Sequence, residues 1–143
     1  MREYKKQGHC VYYAKYHIVM TTKYRRKVVK GGMGAYLKKC TLGVQRRYPE
    51  IVIEEANTNE DHMHVLVSVP PKMSVSRVVN LIKSNTGRMM RERFRFLDKV
   101  YKREDGIWST GYFVSTVGID EQTIQRYIEY QGREDRGQVQ LEF

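Results

Sequence analysis

The order in which strand and helix patterns follow one another constrains the fold of this chain more than any other feature. Segments rich in β-branched and aromatic residues predict strands, and apolar residues three and four apart predict helices. The predicted order is strand, helix, strand, strand, helix, strand, followed by one more helix. We therefore expect an α+β, ferredoxin-like (RRM-like) sandwich: an antiparallel sheet with helices on one face and an appended C-terminal helix. The predicted strands lie at 11–22, from 51, at 62–69 and at 108–118, and the predicted helices at 33–48, 74–95 and 120–131.

Two of these helices have recognisable ends. Ser74 and Asp120 can each cap a helix N-terminus, and Gly132 is placed to end the last helix. We therefore expect residues 133–143 to form a loosely attached tail. The predicted buried stripes are Val75, Val78, Val79, Ile82, Thr86 and Met89 on the second helix, and Ile124, Tyr127, Ile128 and Gln131 on the last.

Length and composition indicate one domain. A chain of 143 residues, 41% of them hydrophobic, can build a single core, so residues 1–143 form one predicted domain with its centre at about 10–132. It contains neither a signal-peptide pattern nor an 18-residue apolar run. Cys10 and Cys40 are too few for a zinc ribbon, and the chain fits a reduced, cytoplasmic protein.

The net charge of +10 predicts a polyanionic partner, and nucleic acid is the first candidate. Cations concentrate in the segment 23–27 and on the predicted helix 74–95. Such runs are often only the solvated face of an element, but here the excess of one sign favours phosphate contacts. A membrane surface is the second candidate, although we expect no membrane association. The candidate nucleic-acid contacts are Lys23, Arg25, Arg26, Lys83 and Arg88.

Two histidines form the first candidate site. His62 and His64 are two apart on a predicted strand, so their imidazoles point to the same face and can hold one divalent ion. Taken alone, such a pair also fits packing and hydrogen bonding. Asp61 either orients a histidine as an acceptor or only makes a turn. His17 has no partner at a useful spacing, and we interpret it as structural or as a DNA contact.

Two residues of the last helix form the second candidate site. Tyr127 and Gln131 are four apart, so they lie on one face of the helix. A tyrosine oxygen can attack phosphorus as a nucleophile, and an amide oxygen can join two imidazoles around a metal while leaving positions open. The other readings are a core aromatic for Tyr127 and a polar last residue before Gly132 for Gln131. Tyr130 is a near neighbour, and the spacing to Gln131 favours Tyr127.

Several separated segments match one family in order and spacing. They are residues 16–19 (YHIV), 22–26 (TKYRR), 61–64 (DHMH) followed by Pro70 and Pro71, 81–84 (LIKS), 108–118 (WSTGYFVSTVG) and 127–131 (YIEYQ). On these motifs the chain resembles the single-tyrosine His-hydrophobe-His transposases of the insertion-sequence 200/605 type. The match spans about residues 10–132. Where relatives often have a proline before the aspartate, this chain has Glu60.

The resemblance implies a metal-dependent endonuclease and strand transferase acting on single-stranded DNA at transposon ends. It implies that Tyr127 becomes joined to the 5′ side of the cut, and that His62, His64 and Gln131 hold Mg²⁺ or Mn²⁺. It also implies a homodimer in which the histidines of one subunit can combine with the tyrosine helix of the other. The implied substrates are imperfect hairpins near the element's ends.

The chemistry requires no nucleotide cofactor, and the sequence has no phosphate-loop or dinucleotide motif. Hard Mg²⁺ prefers oxygen ligands, so two histidines favour Mn²⁺ or another transition ion on affinity alone. Two rival functions share these features. One is a host-domesticated relative that processes repeated hairpins, and the other is a non-catalytic module that binds single-stranded nucleic acid.

Overall fold

The computed structural model describes residues 3–137 as an α+β sandwich, which confirms the predicted fold class. A four-stranded antiparallel sheet has the order β4-β5-β3-β6, and a separate two-stranded hairpin joins β1 to β2. The chain order and the sheet order together are those of a ferredoxin-like fold. The strands are β1 Lys5–Gln7, β2 Cys10–Tyr12, β3 Lys15–Thr21, β4 Val52–Thr58, β5 His62–Ser68 and β6 Phe113–Ser115. The helices are α1 Met33–Arg47, α2 Val75–Arg93, α3 Leu97–Val100 and α4 Glu121–Asp135, with 3₁₀ turns at Lys23–Arg25 and Arg103–Asp105.

The sheet buries its two faces against different helices. Ile18 and Met20 of β3, with the alternate residues of β5, join the main core beneath α1 and α2. Val19 lies between them in sequence and therefore points to the opposite face. There it packs in a second, smaller cluster with residues of α4. The appended helix thus covers the side of the sheet that α1 and α2 leave open.

The N-termini of α2 and α4 are capped as predicted. The Ser74 hydroxyl accepts a hydrogen bond from the Arg77 backbone N–H, and the Asp120 carboxylate accepts one from that of Thr123. These bonds satisfy donors that the first helical turn leaves unpaired. No helix in the described part of the chain combines the length and the apolar character needed to cross a bilayer.

Two helix predictions are wrong in detail. Met90 is buried in place of Met89, because the stripe continues from Thr86 by four residues rather than three. Gly132 does not end α4, which continues to Asp135. A Cβ at position 132 would lie 3.2 Å from the Arg25 Cβ, so this glycine permits close packing instead of a helix stop. Residues 133–135 of the predicted tail are therefore helical, and its residues 138–143 lie outside the described part of the chain.

The strand predictions also needed correction. The segment 11–22 divides into β2 and β3, and the short, polar strand β1 that pairs with β2 was not predicted. The segment 108–118 contributes only β6 and a single bridge between Trp108 and Thr22. The strand predicted to start at residue 51 is β4, which runs from Val52 to Thr58.

Candidate active site

The sheet aligns the two histidines on the face that α4 covers. His62 lies opposite Thr21 and His64 lies opposite Val19 in the antiparallel pairing of β3 with β5. The residue between them, Met63, is fully buried in the main core on the other side. The prediction that both imidazoles share one face is therefore confirmed in geometry, while their role as metal ligands stays a prediction.

Asp61 holds His62 in a defined orientation. The Asp61 carboxylate lies 2.8 Å from His62 Nδ1, and the Arg25 guanidinium donates to its other oxygen at 3.4 Å. The hydrogen bond from His62, with the nearby Arg25 guanidinium, lowers the pKa of Asp61 below its usual range. A carboxylate on Nδ1 keeps the proton there and leaves the Nε2 lone pair of a neutral imidazole for a metal.

His64 has a partner that sequence reasoning missed. His17 Nδ1 lies 3.1 Å from His64 Nε2, so one ring donates to the other. Burial, followed by the nearby His17, lowers the pKa of His64, which favours the neutral ring at neutral pH. The sequence spacing gave no sign of this contact because His17 belongs to β3 and His64 to the neighbouring strand.

Tyr127 and Gln131 form a buried pair on α4. The Tyr127 hydroxyl donates to Gln131 Oε1 at 3.1 Å, and only 3% of Tyr127 and 2% of Gln131 is exposed. Burial, with the negative charges of Asp135 and Glu134 nearby, raises the pKa of Tyr127. The phenol therefore keeps its proton at neutral pH and directs it to the amide oxygen. All four residues of the predicted α4 stripe are buried, as expected.

The Tyr127–Gln131 pair depends on a glycine in the loop before β6. A Cβ at Gly111 would overlap Gln131 Oε1, would lie 3.2 Å from Gln131 Cδ and would come to 3.5 Å from the Tyr127 hydroxyl. A larger residue there would displace the helix or the loop. At Gly111 the backbone thus lies so close to the candidate site that there is no room for a side chain.

Lys83 fixes the same loop from the other side. Its ammonium donates to the backbone carbonyls of Ser109, Thr110 and Gly111 at 2.7, 3.2 and 2.8 Å. Burial lowers the pKa of Lys83 to about 8, although the Asp135 carboxylate partly offsets this. Because these carbonyls turn toward Lys83, the segment before β6 does not form the longer strand that the sequence predicted.

Asp135 completes the network around the pair and was missed by sequence reasoning. Its carboxylate accepts hydrogen bonds from Gln131 Nε2 at 3.1 Å, from the Tyr24 backbone N–H at 2.8 Å and from the Ser109 hydroxyl. A signal was present, because Tyr127, Gln131 and Asp135 repeat at intervals of four residues on one helix face. The expectation of a helix end at Gly132 concealed it.

The candidate residues form two groups on one face of the sheet. His62 with Asp61 and His64 with His17 make the first group, and Tyr127 with Gln131 makes the second. Val19 links them, since it is the cross-strand partner of His64 and packs against Tyr127. Within residues 3–137, no cluster of three or more His, Cys, Asp or Glu is arranged to hold a metal, so a three-ligand site needs another donor type such as the Gln131 amide.

The side chains predicted to contact nucleic acid differ in the contacts that they make within the protein. Arg25 and Lys83 bind Asp61 and the loop carbonyls, whereas Lys23 and Arg26 lie against the Tyr24 ring. Arg88 is exposed near Asn85 and Glu92. Their contact with nucleic acid stays a prediction.

The fold belongs to a class of known structures, the transposases. The chain superposes on the crystal structure of a Deinococcus radiodurans chain assigned to the transposases, with a TM-score of 0.76 and 26% identity over 89% of this chain and 97% of the other. It shares its fold with a REP-associated tyrosine transposase solved bound to a REP hairpin, with a TM-score of 0.51 and 17% identity over 97% of this chain and 76% of the other.

Sequence comparison identifies the particular family. The model of the IS200-like transposases matches residues 10–131. The chain is 36% identical to the transposase of insertion sequence IS200 from Salmonella typhimurium, over 99% of this chain and 91% of the relative. It is 29% identical to the ISDra2 transposase TnpA of Deinococcus radiodurans, over 90% and 91%. The chain belongs to the IS200-like transposase family, as the sequence motifs predicted.

Proposed function

We propose that this transposase cuts and rejoins single-stranded DNA at transposon ends through a covalent phosphotyrosine at Tyr127. The observation that carries the proposal is the Tyr127–Gln131 pair, which lies on the sheet face that also presents His62 and His64. A tyrosine, a ligating amide and two imidazoles are the groups needed to attack a phosphodiester and to stabilise the charge that develops on it.

The exchange conserves one high-energy linkage. The Tyr127 hydroxyl gives up its proton as its oxygen forms a bond to phosphorus, the bond between phosphorus and the 3′ oxygen breaks, and the leaving 3′ oxygen takes up a proton, so the protons balance. The strand on the 5′-phosphate side is then joined to the tyrosine. Attack by another 3′ hydroxyl reverses these steps and releases the phenol, so no nucleotide cofactor is consumed.

We propose that His62, His64 and Gln131 hold the divalent ion, Mg²⁺ or Mn²⁺, that this chemistry requires. The donor types fit, because Asp61 leaves His62 Nε2 available and the lowered pKa of His64 favours its neutral form. His64 Nε2 contacts His17 Nδ1 at 3.1 Å, so it would have to give up this contact to bind the ion. Two imidazoles favour Mn²⁺ on affinity, whereas Mg²⁺ prefers oxygen. A bound ion would polarise the scissile phosphate.

Tyr127 must leave its present hydrogen bond before it can attack. Its hydroxyl is buried and its proton lies on an amide oxygen, which is not a base. Movement of α4 would release it, and the small apolar cluster beneath this helix makes such movement less costly than opening the main core. We infer a homodimer acting in the cytosol, in which α4 can serve the histidines of either subunit.

The central test looks for the covalent intermediate. The protein is incubated with single-stranded hairpin oligonucleotides and Mn²⁺ or Mg²⁺, and a denaturing gel should show a protein–DNA adduct. Tyr127→Phe should abolish the adduct, while the matched change Tyr130→Phe should retain it. Binding without any adduct, for every end sequence from the chain's own genomic surroundings, would favour a non-catalytic binding module.

Subunit mixing tests the shared site. Tyr127→Phe and His64→Ala chains should each be inactive alone, because one lacks the nucleophile and the other a ligand. A mixture should recover part of the adduct if a tyrosine helix can serve the partner's histidines. Failure to recover any adduct in demonstrated mixed dimers would place each site within one chain.

A basic groove between α1 and α2 supports hairpin recognition. The groove has a volume of about 670 Å³ and an apolar floor that includes Tyr36, Leu42 and Met89. Five cations line it and none of its described lining residues is acidic, which favours phosphate binding. The structural relative bound to a REP hairpin makes DNA hairpins a reasonable partner class. The five cations are Lys38, Lys39, Arg46, Arg47 and Arg88.

Salt dependence tests this groove. Changing both Arg46 and Arg47 to alanine should weaken hairpin binding and reduce the slope of log affinity against log salt by about 1 to 2, since each lost phosphate contact removes roughly one released counterion. The matched double change of the exposed Lys99 and Lys102 to alanine removes the same charge elsewhere. Equal effects of the two double variants would show only a general field effect.

A further inference from the structure

We propose that Asp135 is a positioning residue that sets which end of the Gln131 amide faces the active site. Gln131 Nε2 donates to Asp135 Oδ1 at 3.1 Å, and Gln131 Oε1 accepts from the Tyr127 hydroxyl at 3.1 Å. The amide is thus gripped at both ends. The inference rests on the proposed role of Gln131 as a metal ligand.

The chemistry of the carboxylate allows one orientation of the amide. An ionised carboxylate can only accept hydrogen bonds, whereas an amide presents donors at its nitrogen and an acceptor at its oxygen. Rotating the Gln131 amide by half a turn would place its oxygen against the Asp135 carboxylate, and both groups would then be acceptors. Because Gln131 is 98% buried, water cannot relieve that mismatch. The oxygen, which is the atom able to bind a cation, is therefore held on the Tyr127 side.

Asp135 is itself held by two other elements. Its Oδ2 accepts from the Tyr24 backbone N–H, which belongs to the turn after β3, and from the Ser109 hydroxyl. The Ser109 backbone N–H in turn donates to the Thr21 carbonyl at 2.9 Å. These donors restrain the carboxylate, so its grip on Gln131 does not depend on the helix alone. They also connect the amide orientation to the basic segment 23–27.

Loss of Asp135 should therefore weaken metal binding without removing a ligand. Without an acceptor at 135, the amide can rotate and present its nitrogen hydrogens to the ion. Outer groups that orient a ligand typically change metal affinity about tenfold or more when removed. We expect Asp135→Ala to weaken Mn²⁺ binding by about tenfold.

The test is Mn²⁺ titration calorimetry on the full, DNA-free protein. Asp135→Ala is compared with Glu134→Ala, which removes the same charge from the exposed neighbouring position. A tenfold loss confined to Asp135→Ala is the expected result. Equal losses in both variants would mean that only the negative charge matters, and would overturn the inference.

The Gln131→Glu variant serves as a second background. It separates the positioning role of Asp135 from general support of the helix. In Gln131→Glu the side chain ends in two equivalent oxygens and needs no orientation, and one of them faces the Asp135 carboxylate. Adding Asp135→Ala to Gln131→Glu should therefore cause no further loss of Mn²⁺ affinity, and relief of the repulsion between the two carboxylates should raise it. A loss as large as in the native background would show that Asp135 only supports the helix, and would overturn the inference. If Asp135→Ala does not fold, Asp135→Asn is measured in both backgrounds, with the same difference expected.

Gln131→Ala separates the role of Gln131 as a metal ligand from the role of Asp135 in orienting its amide. Unchanged Mn²⁺ affinity in this variant would refute Gln131 as a ligand, and with it the reason for its orientation. Weaker binding in Gln131→Ala together with unchanged binding in Asp135→Ala would overturn only the role of Asp135. Weaker binding in both supports the two proposals together.

Discussion

The strand that carries the histidines and the helix that carries the tyrosine are anchored in different ways. β5 is paired with β3 along its whole length and with β4 on its other side, and its alternate residues fill the main core. α4 buries a separate cluster of Ile124, Tyr127 and Ile128 against Val19. Its last turn is held mostly by polar contacts. The molecule thus combines a fixed pair of candidate ligands with a more weakly attached candidate nucleophile.

The largest expected effect is on stability, and it compares the packing of β5 in the main core with the packing of α4 in its smaller cluster. Met63→Ala should lower the free energy of unfolding by about 3–5 kcal/mol, because it opens a cavity in the main core. Ile124→Ala should cost about 2 kcal/mol, since its cluster is small and can collapse. Urea unfolding measures both variants. If Ile124→Ala costs as much as Met63→Ala, the helix is not the weaker element.

A smaller effect is expected at Gly111, where a substitution should disturb α4 but not β5. Gly111→Ala places a methyl group against Gln131, so it should cost about 1–3 kcal/mol of stability, as overpacking does. Adduct formation should also fall, since the pair around Tyr127 is displaced. Gly118→Ala is the control, because open space surrounds that position. Hydrogen exchange should accelerate in α4 and stay unchanged in β5, and acceleration in both elements would contradict the separation.

The pH dependence of stability should show that burial lowers the pKa of Lys83. Its pKa is lowered to about 8 in the fold from an ordinary value of 10.5, so the unfolded chain binds more protons between these values. Stability contributed by the neutral amine is fully present above pH 10.5 and is lost as the pH falls through about 8. Relative to Lys83→Met, the native protein should therefore gain about 1–2 kcal/mol as the pH rises through this window, after allowance for partial exposure. A flat difference in chemical denaturation between the two proteins would contradict this.

The smallest expected effect concerns Gly132, where two opposing terms nearly cancel. Alanine in a helix interior gains about 1 kcal/mol over glycine, but its Cβ would crowd Arg25. We expect Gly132→Ala to change stability by only a few tenths of a kcal/mol. In an Arg25→Gly background, which removes the crowding Cβ, the same change should stabilise by up to about 1 kcal/mol. Thermal unfolding of the four proteins measures the difference. Equal effects in both backgrounds would show that Arg25 does not crowd a side chain at position 132.

The main elements of the fold could be predicted because their signals are local. Periodicity located α1, α2, β5 and α4, and the caps at Ser74 and Asp120 followed from residue type. The β1–β2 hairpin could not be predicted, since β1 is short and wholly polar and none of its three residues is fully buried. The segment 108–118 appeared to be a strand because its composition suits one, but the buried Lys83 withdraws its carbonyls from the ladder.

The candidate site was predictable only where its residues are neighbours along one element. His62 with His64 and Tyr127 with Gln131 follow from spacing on a strand and on a helix. The contact of His17 with His64 joins two strands, and the contacts of Asp135 with Tyr24 and Ser109 join parts of the chain far apart in sequence. Such contacts depend on register and on helix docking, which a single sequence does not encode locally.

The turn after β3 contains two consecutive residues, Tyr24 and Arg25, with φ near +60°. A residue with a side chain typically costs about 1 kcal/mol or more in this conformation, while glycine adopts it freely. The chain nevertheless carries a tyrosine beside two cations and an arginine beside Asp61. Glycine at either position would remove this backbone cost together with the contacts of the side chain that it replaces. The contacts of these two side chains must therefore offset the unfavourable backbone conformation of the turn.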